Sequence, residues 1–105
     1  MSEPDTQTTT AEQPGLPPAT FTFLVLSLRA QAEMQLGLFT FGQEEKPEPD
    51  LDLARHSIDM MAILAAKCKG NLTMEEQRLL ENTITELRFR FIQVSDDVAK
   101  AAQKA

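Results

Sequence analysis

Residues 64–88, LAAKCKGNLTMEEQRLLENTITELR, constrain the fold of this chain more than any other stretch. Two lysines place positive charge where a helix would end, and Gly70 supplies a residue that readily adopts the left-handed conformation after a helix. Thr73, followed three residues later by Glu76, is the capping-box pattern that begins a new helix. The stretch therefore predicts two helices joined by a tight turn as an antiparallel hairpin.

Apolar residues at helical spacing predict three helices, at about 21–36, 51–69 and 74–98. In the second and third helices the apolar positions alternate at spacings of four and three, the pattern of helices that pack side by side. They are Ala54, Ile58, Met61, Ala65 and Cys68 in the second helix, and Leu80, Ile84, Leu87, Phe91, Val94 and Val98 in the third.

The first helix is apolar over much of its circumference at its N-terminal end. We expect an inward stripe there, which leaves other apolar side chains uncovered. The stripe is Phe21, Leu24, Leu28, Ala32 and Leu36, and the uncovered side chains are Phe23, Val25 and Leu26. A β-strand at 21–26 is the competing interpretation, because the segment is rich in strand-forming residues. No second strand is available to pair with it, so helix is favoured.

The segments outside the helices are polar and rich in proline. Residues 1–19 contain four prolines and little apolar bulk, which predicts a disordered tail. The acidic linker at 38–50 contains Pro47 and Pro49, while its apolar members are expected to pack back on the helices. Thr20 is expected to cap the first helix, Asp50 or Asp52 the second, and residues 99–105 to fray. The apolar linker residues are Leu38, Phe39 and Phe41. The sequence therefore predicts one all-α domain at residues 20–98.

The charge pattern limits the classes of partner. The 105 residues carry a formal net charge of −6, concentrated in the tail and the linker, without a basic stripe. Nucleic acid is therefore not an expected partner. The apolar run at 21–28 is far shorter than the roughly 20 residues of a membrane span, and no membrane partner is expected. A single cysteine and no secretory signal favour a cytoplasmic protein.

Several short motifs, taken together, resemble a known family. They are Ile58-Asp59, Lys69-Gly70-Asn71-Leu72-Thr73, Glu75-Glu76 and Leu87-Arg88. Their pattern is similar to that of small bacterial proteins catalogued only as a domain of unknown function, and the likeness covers residues 21–92. Cys68 and Phe91 stand where that pattern has Thr and Tyr. The resemblance implies a bacterial helical protein and supplies no catalytic or binding residues.

No residues form an enzymatic signature. His56 and Cys68 are the one potential base and nucleophile, but twelve residues of helix separate them, about 18 Å of rise. One histidine and one cysteine also make a poor ligand set for a metal ion. We therefore predict no catalytic, metal or cofactor-binding residue, and a protein that is not an enzyme.

The turn itself has two interpretations. The basic side chains of Lys67 and Lys69, together with Gly70, Asn71 and the free N–H groups after Thr73, could hold a phosphate or carboxylate. The same residues are also good helix caps, with Glu76 completing the capping box, and this structural interpretation is favoured.

Asp59 is the residue that fits its helix least well, because it lies between two apolar residues. A buried carboxylate without a partner is costly, so Asp59 must be paired or solvated. An antiparallel hairpin places it within one turn of Arg88, which predicts an ion pair between the two. A functional carboxylate is the alternative.

The sequence favours a non-catalytic helical module for interaction or oligomerisation. The second helix is apolar on more faces than one neighbour covers, and Phe23 and Leu26 are also left over. We therefore predict a homo-oligomer, most simply a dimer, with a further protein partner of unknown identity as an option. A compact monomer with these residues covered by the linker is one alternative. A small enzyme or ligand-binding protein that uses Asp59 or the turn at 67–73 is another.

Overall fold

The computed structural model describes residues 15–39 and 47–104. Three helices account for most of them: α1 (Phe21–Gln35), α2 (Leu51–Lys67) and α3 (Met74–Lys104). Neither described range contains a strand, so the predicted all-α class is confirmed and residues 21–26 are helical. Each helix packs against the other two.

Two predictions concern segments at the edge of the described ranges. Most of the predicted disordered tail, and Phe41 of the linker, lie outside the described residues. Residues 15–20 form neither helix nor strand and are exposed. Of the apolar linker residues that are described, Leu38 packs against the core and Phe39 is half-buried.

The third helix is longer than the sequence pattern predicts. Residues 99–104, expected to fray, continue α3 to Lys104. These residues are alanine, lysine and glutamine, which are strong helix formers and need no apolar stripe to stay helical. An ion pair between Lys100 Nζ and Asp96 Oδ2, 3.6 Å apart and four residues along the helix, adds a small stabilisation.

The helix N-termini follow the predicted capping chemistry. The Thr20 hydroxyl accepts a hydrogen bond from the Phe23 backbone N–H at 3.0 Å. Asp50, and not Asp52, caps α2, because its carboxylate accepts from the Leu53 N–H at 3.1 Å. Asp52 lies in the first turn, where its negative charge favours the positive end of the helix dipole.

The core lies between the three helices, and its apolar members on α2 and α3 all belong to the predicted stripes. Two positions of α3 differ from the prediction: Val98, at the end of the stripe, is 40% exposed, and Thr83, outside it, is buried. On α1 the inward position differs from the prediction: Val25 is completely buried, whereas Leu24 is 44% exposed. Spacing alone could not choose between two apolar neighbours. Val25 and Ala32 have smaller side chains than leucine, which lets α1 approach its neighbours closely. The buried apolar residues are Val25, Ala32, Leu36, Ala54, Ile58, Met61, Leu80, Ile84 and Leu87.

The end of α1 fixes where the next segment returns. The N–H of Leu38 bonds to the C=O of Glu33, and the N–H of Gly37 to the C=O of Met34, both at 3.0 Å. These two bonds form a Schellman motif, and Gly37 takes the positive φ that it requires. A Cβ at Gly37 would lie 2.7 Å from the Pro47 carbonyl oxygen, so glycine also permits a close backbone approach.

Two hydrogen bonds hold the start of α2 against the end of α1. The Asp50 N–H donates to the Gln35 backbone carbonyl at 2.8 Å. The Ser57 hydroxyl donates to the Gln35 side-chain oxygen at 2.5 Å. Because both bonds meet at Gln35, the first turns of α2 are fixed beside the last turn of α1.

Candidate interaction surfaces

The outward side of α1 is apolar and exposed. Phe23, Leu26, Ala30 and Met34 are all exposed and follow one another at spacings of three and four, which places them on one side of the helix. We call these four residues the outer face of α1. The face includes the predicted interface residues Phe23 and Leu26, and the structure leaves both uncovered by the described parts of the chain.

The charges of α1 lie beside this face, on the Leu26 side of the helix, and both are held in ion pairs. Arg29 and Glu33 are the only charged residues in the helix. Arg29 Nε lies 3.1 Å from Glu33 Oε2, and an Arg29 terminal nitrogen lies 3.6 Å from Glu86 Oε1 on α3. Arg29 therefore links α1 to α3 and Glu33 is paired beside it, while the four residues of the outer face carry no charge. Sequence spacing gave no signal for the Arg29–Glu86 contact, because it depends on the distance between two helices.

The second helix exposes large apolar residues as well. Leu53, Met60 and Ile63 are each about half exposed. Leu53 also lines a shallow groove of about 710 Å³ between α1 and α2, together with Met34 and Ala30 from the outer face. We refer to the α1–α2 surface as the outer face of α1 together with these three residues of α2.

A second apolar area lies between α2 and α3. It is a depression of about 270 Å³, and we call it the α2–α3 depression. The guanidinium carbon of Arg55 lies 5.3 Å from the centre of the Phe91 ring, a cation–π contact that sequence reasoning missed. Phe89 on the same helix is 61% exposed. The lining residues are Arg55, Ile58, Asp59, Arg88, Phe91 and Ile92.

The predicted ion pair between Asp59 and Arg88 is not formed. The two residues line the same depression, as expected, and both are exposed. No salt bridge within 4.0 Å joins either of them to a residue of the ranges 15–39 and 47–104. The physical reason is that Asp59 is solvated and not buried, so hydration compensates its charge without a partner.

The turn between α2 and α3 has the predicted capping box. The Thr73 N–H donates to the Glu76 carboxylate at 2.9 Å, and the Glu76 N–H donates to the Thr73 hydroxyl at 3.0 Å. The Glu76 carboxylate thus occupies the N-terminus of α3, where an anion would otherwise bind. This arrangement favours the capping interpretation over an anion site.

The rest of the turn is defined by its backbone conformation, and it carries two exposed lysines. Gly70 has a φ of +88°, as predicted, and the Asn71 N–H donates to the Cys68 carbonyl at 2.9 Å. Lys67 is the last residue of α2, and Lys69 follows in the turn, so their charges lie at the negative end of the helix dipole.

The remaining candidate groups do not converge. His56 is exposed on α2, and Cys68 is a half-buried free thiol at its end. Across residues 15–39 and 47–104, no three His, Cys, Asp or Glu side chains are placed to share a metal ion. In the same ranges, no helix has the length and apolar character needed to cross a membrane.

Across residues 15–39 and 47–104, the fold and these surfaces define a small helical protein with exposed apolar faces. The chain belongs to the family described as "Domain of unknown function (DUF1844)", whose sequence profile matches residues 18–93. The match confirms the resemblance noted in the turn and helix motifs. A comparison with curated proteins found no match, and a comparison with solved structures found none either.

Proposed function

We propose that this protein is a non-catalytic helical module that associates with a second copy of itself through the α1–α2 surface. The observation that carries the proposal is the uncharged outer face of α1. Charged residues are depleted in the cores of protein interfaces, whereas a helix face that meets only water usually carries several. An α-helix whose two charged side chains are both held in ion pairs, one of which reaches α3, is therefore suited to a protein neighbour on its uncharged outer face.

The overall charge supports the choice of this face for self-association. Two copies with a net charge of −6 repel each other at most orientations. An uncharged apolar face minimises that repulsion and removes exposed leucine, phenylalanine and methionine from water. A two-fold axis is the simplest symmetry, because the same face then serves both copies.

The proposal includes the direction of the two longer helices. The three depressions between them pair the start of α2 with the end of α3 and the end of α2 with the start of α3. Leu51 shares a depression with Val98, Ile58 with Phe91, and Ala65 with Leu80. We infer from this order that α2 and α3 form an antiparallel hairpin, with α1 packed across it. A cytoplasmic location completes the proposal, because a reducing compartment keeps the lone Cys68 as a thiol.

Light scattering coupled to size exclusion tests the association. The full chain has a mass of 11.7 kDa, so we expect the wild type to form particles of about twice that mass or more. Leu26→Asp and Phe23→Asp should lower the mass toward the monomer while circular dichroism shows unchanged helicity, because both side chains are exposed.

Asn82→Asp is the matched control for this experiment. It adds the same charge at an exposed position of α3 that belongs neither to the α1–α2 surface nor to the α2–α3 depression. We expect it to leave the mass unchanged. A wild type of 11.7 kDa at every concentration tested, or variants that keep the wild-type mass, would contradict the proposal.

A further inference from the structure

We propose that the α2–α3 depression is a second two-fold contact with another copy of this chain, in which Asp59 of each copy pairs with Arg88 of the other. This inference rests on the proposed self-association, which it extends to a second surface. It assigns a role to the two charged residues that the fold brings together but does not pair.

The centre of the depression is apolar. Ile58 is buried at its floor, Phe91 is half-buried, and Ile92 is 65% exposed. The Arg55 side chain lies over the Phe91 ring and so covers part of the aromatic surface. The part of the depression that Arg55 does not cover is an apolar strip of α3, and a neighbouring molecule can cover it.

The charges beside the strip indicate which neighbour fits. Asp59 lies on α2 and Arg88 on α3, so a negative and a positive group flank the same apolar centre. The third charge of the lining, the Arg55 guanidinium, lies over the Phe91 ring. Neither Asp59 nor Arg88 is in an ion pair with a residue of the described ranges. An acidic partner would place a negative charge opposite Asp59, and a basic partner would place a positive charge opposite Arg88. Each of these like-charge contacts would weaken binding.

A second copy avoids both conflicts. In a two-fold contact, residue i of one copy meets residue j of the other, and the reverse contact occurs as well. An axis that passes through the apolar centre, between Asp59 and Arg88, therefore forms the same opposite-charge pair twice. It also places the exposed Ile92 side chains of the two copies against each other.

Two separate two-fold surfaces on one chain predict a particular assembly. The α1–α2 surface makes a dimer, and the α2–α3 depression joins two dimers. When the two axes are perpendicular, the result is a closed tetramer, a common symmetry after the dimer. Its mass would be about 47 kDa, four times 11.7 kDa.

Charge reversal in separate chains tests the contact directly. Asp59→Arg alone and Arg88→Asp alone each place like charges opposite one another in both pairs of the contact. Each variant should therefore stop at the dimer, and its tetramer dissociation constant should rise at least about tenfold. In a mixture of the two variants, each reversed position meets an opposite charge, so the tetramer should return. The double variant Asp59→Arg/Arg88→Asp should also form tetramers.

Matched controls change the net charge at exposed positions outside the depression. Asp97→Arg and Arg78→Asp alter the chain charge by the same amounts as the two test variants. Both should leave the mass unchanged, which separates a local pairing from a general effect of charge. Circular dichroism of all variants should match the wild type, since every substituted residue is exposed.

The outcomes separate this inference from the proposal on which it rests. A wild type that forms dimers sensitive to Leu26→Asp, but never tetramers, overturns the second contact and leaves the proposed function intact. Single reversals that do not weaken the tetramer, or a mixture that does not restore it, also overturn the contact. A wild-type mass of 11.7 kDa overturns both statements.

Discussion

The first and third helices expose apolar side chains of similar size but differ in the charges around them. α1 has two charged residues in its 15 positions, and both are in ion pairs, one of which reaches α3. α3 has 31 positions, and its exposed side mixes acidic and basic residues with Phe89 and Ile92. Its exposed charged residues include Glu81, Arg88 and Asp96.

The contrast between the two helices shows that an exposed apolar residue alone does not mark an interface. Most protein surfaces expose such residues singly, surrounded by charge, and stay soluble. α3 follows that pattern, so any contact it makes must also satisfy its charges. α1 does not follow it, because its outer face offers water neither charge nor an ion pair.

The largest predicted effect is on the free energy of unfolding, and it distinguishes the buried side of α3 from its exposed side. Leu87→Asp should unfold the chain, because it buries a carboxylate at a position that is 1% exposed and removes core contacts. The loss is about 5 kcal/mol, comparable to the whole stability of a small domain. Phe89→Asp, two residues further along, should keep the helical circular-dichroism spectrum and the melting temperature within a few degrees. Equal melting temperatures for the two variants would mean that the sides of α3 are misassigned.

A smaller effect is expected where α1 ends. Gly37→Ala should cost more than about 2 kcal/mol, because alanine resists positive φ and its Cβ would lie 2.7 Å from the Pro47 carbonyl oxygen. Gly70→Ala, before α3, shares only the positive φ and meets nothing within 4 Å. It should cost about 1 kcal/mol. Urea unfolding of both variants checks the order, and a larger loss at Gly70 would refute the close approach at Gly37.

The smallest effect concerns the residues that cap the N-termini of α1 and α3. Thr73→Ala at α3 and Thr20→Ala at α1 each remove one hydroxyl acceptor from a backbone N–H. Each should destabilise by about 1 kcal/mol, measured by thermal unfolding, and serine at either position should restore most of the loss. Two unchanged melting temperatures would show that these hydrogen bonds contribute nothing in solution.

The turn at 68–73 could be predicted from sequence because its chemistry is local. Thr73 and Glu76 are three residues apart, and the bonds they exchange depend only on the chain between them. The same holds for Thr20 and Asp50 as caps and for the positive φ of Gly70. Apolar spacing likewise identified the buried apolar positions of α2 and α3, but it included the exposed Val98 and missed the buried Thr83.

The contacts between helices could not be predicted in the same way. The choice of Val25 over Leu24 depends on how closely α1 approaches its neighbours. The sequence placed Asp59 and Arg88 correctly on neighbouring faces of α2 and α3. The register between two helices determines the positions of their backbones, but it does not determine where the ends of long side chains lie. The Arg55–Phe91 contact was missed for that reason. The flexible Arg55 side chain lies over the Phe91 ring and forms no ion pair with Asp59, which lines the same depression.

The hydrogen bond from the Asp50 N–H to the Gln35 carbonyl has a consequence for variation in chain length. Together with the approach of Pro47 to Gly37, it brings both ends of the α1–α2 connection to one point. Extra residues inserted between these ends enlarge only a closed loop, and each doubling of its length costs about 0.6 kcal/mol in closure entropy. The connection is therefore where an inserted peptide or reporter should leave the helices in place. The turn before α3 has no such tolerance, because its capping hydrogen bonds depend on fixed spacing.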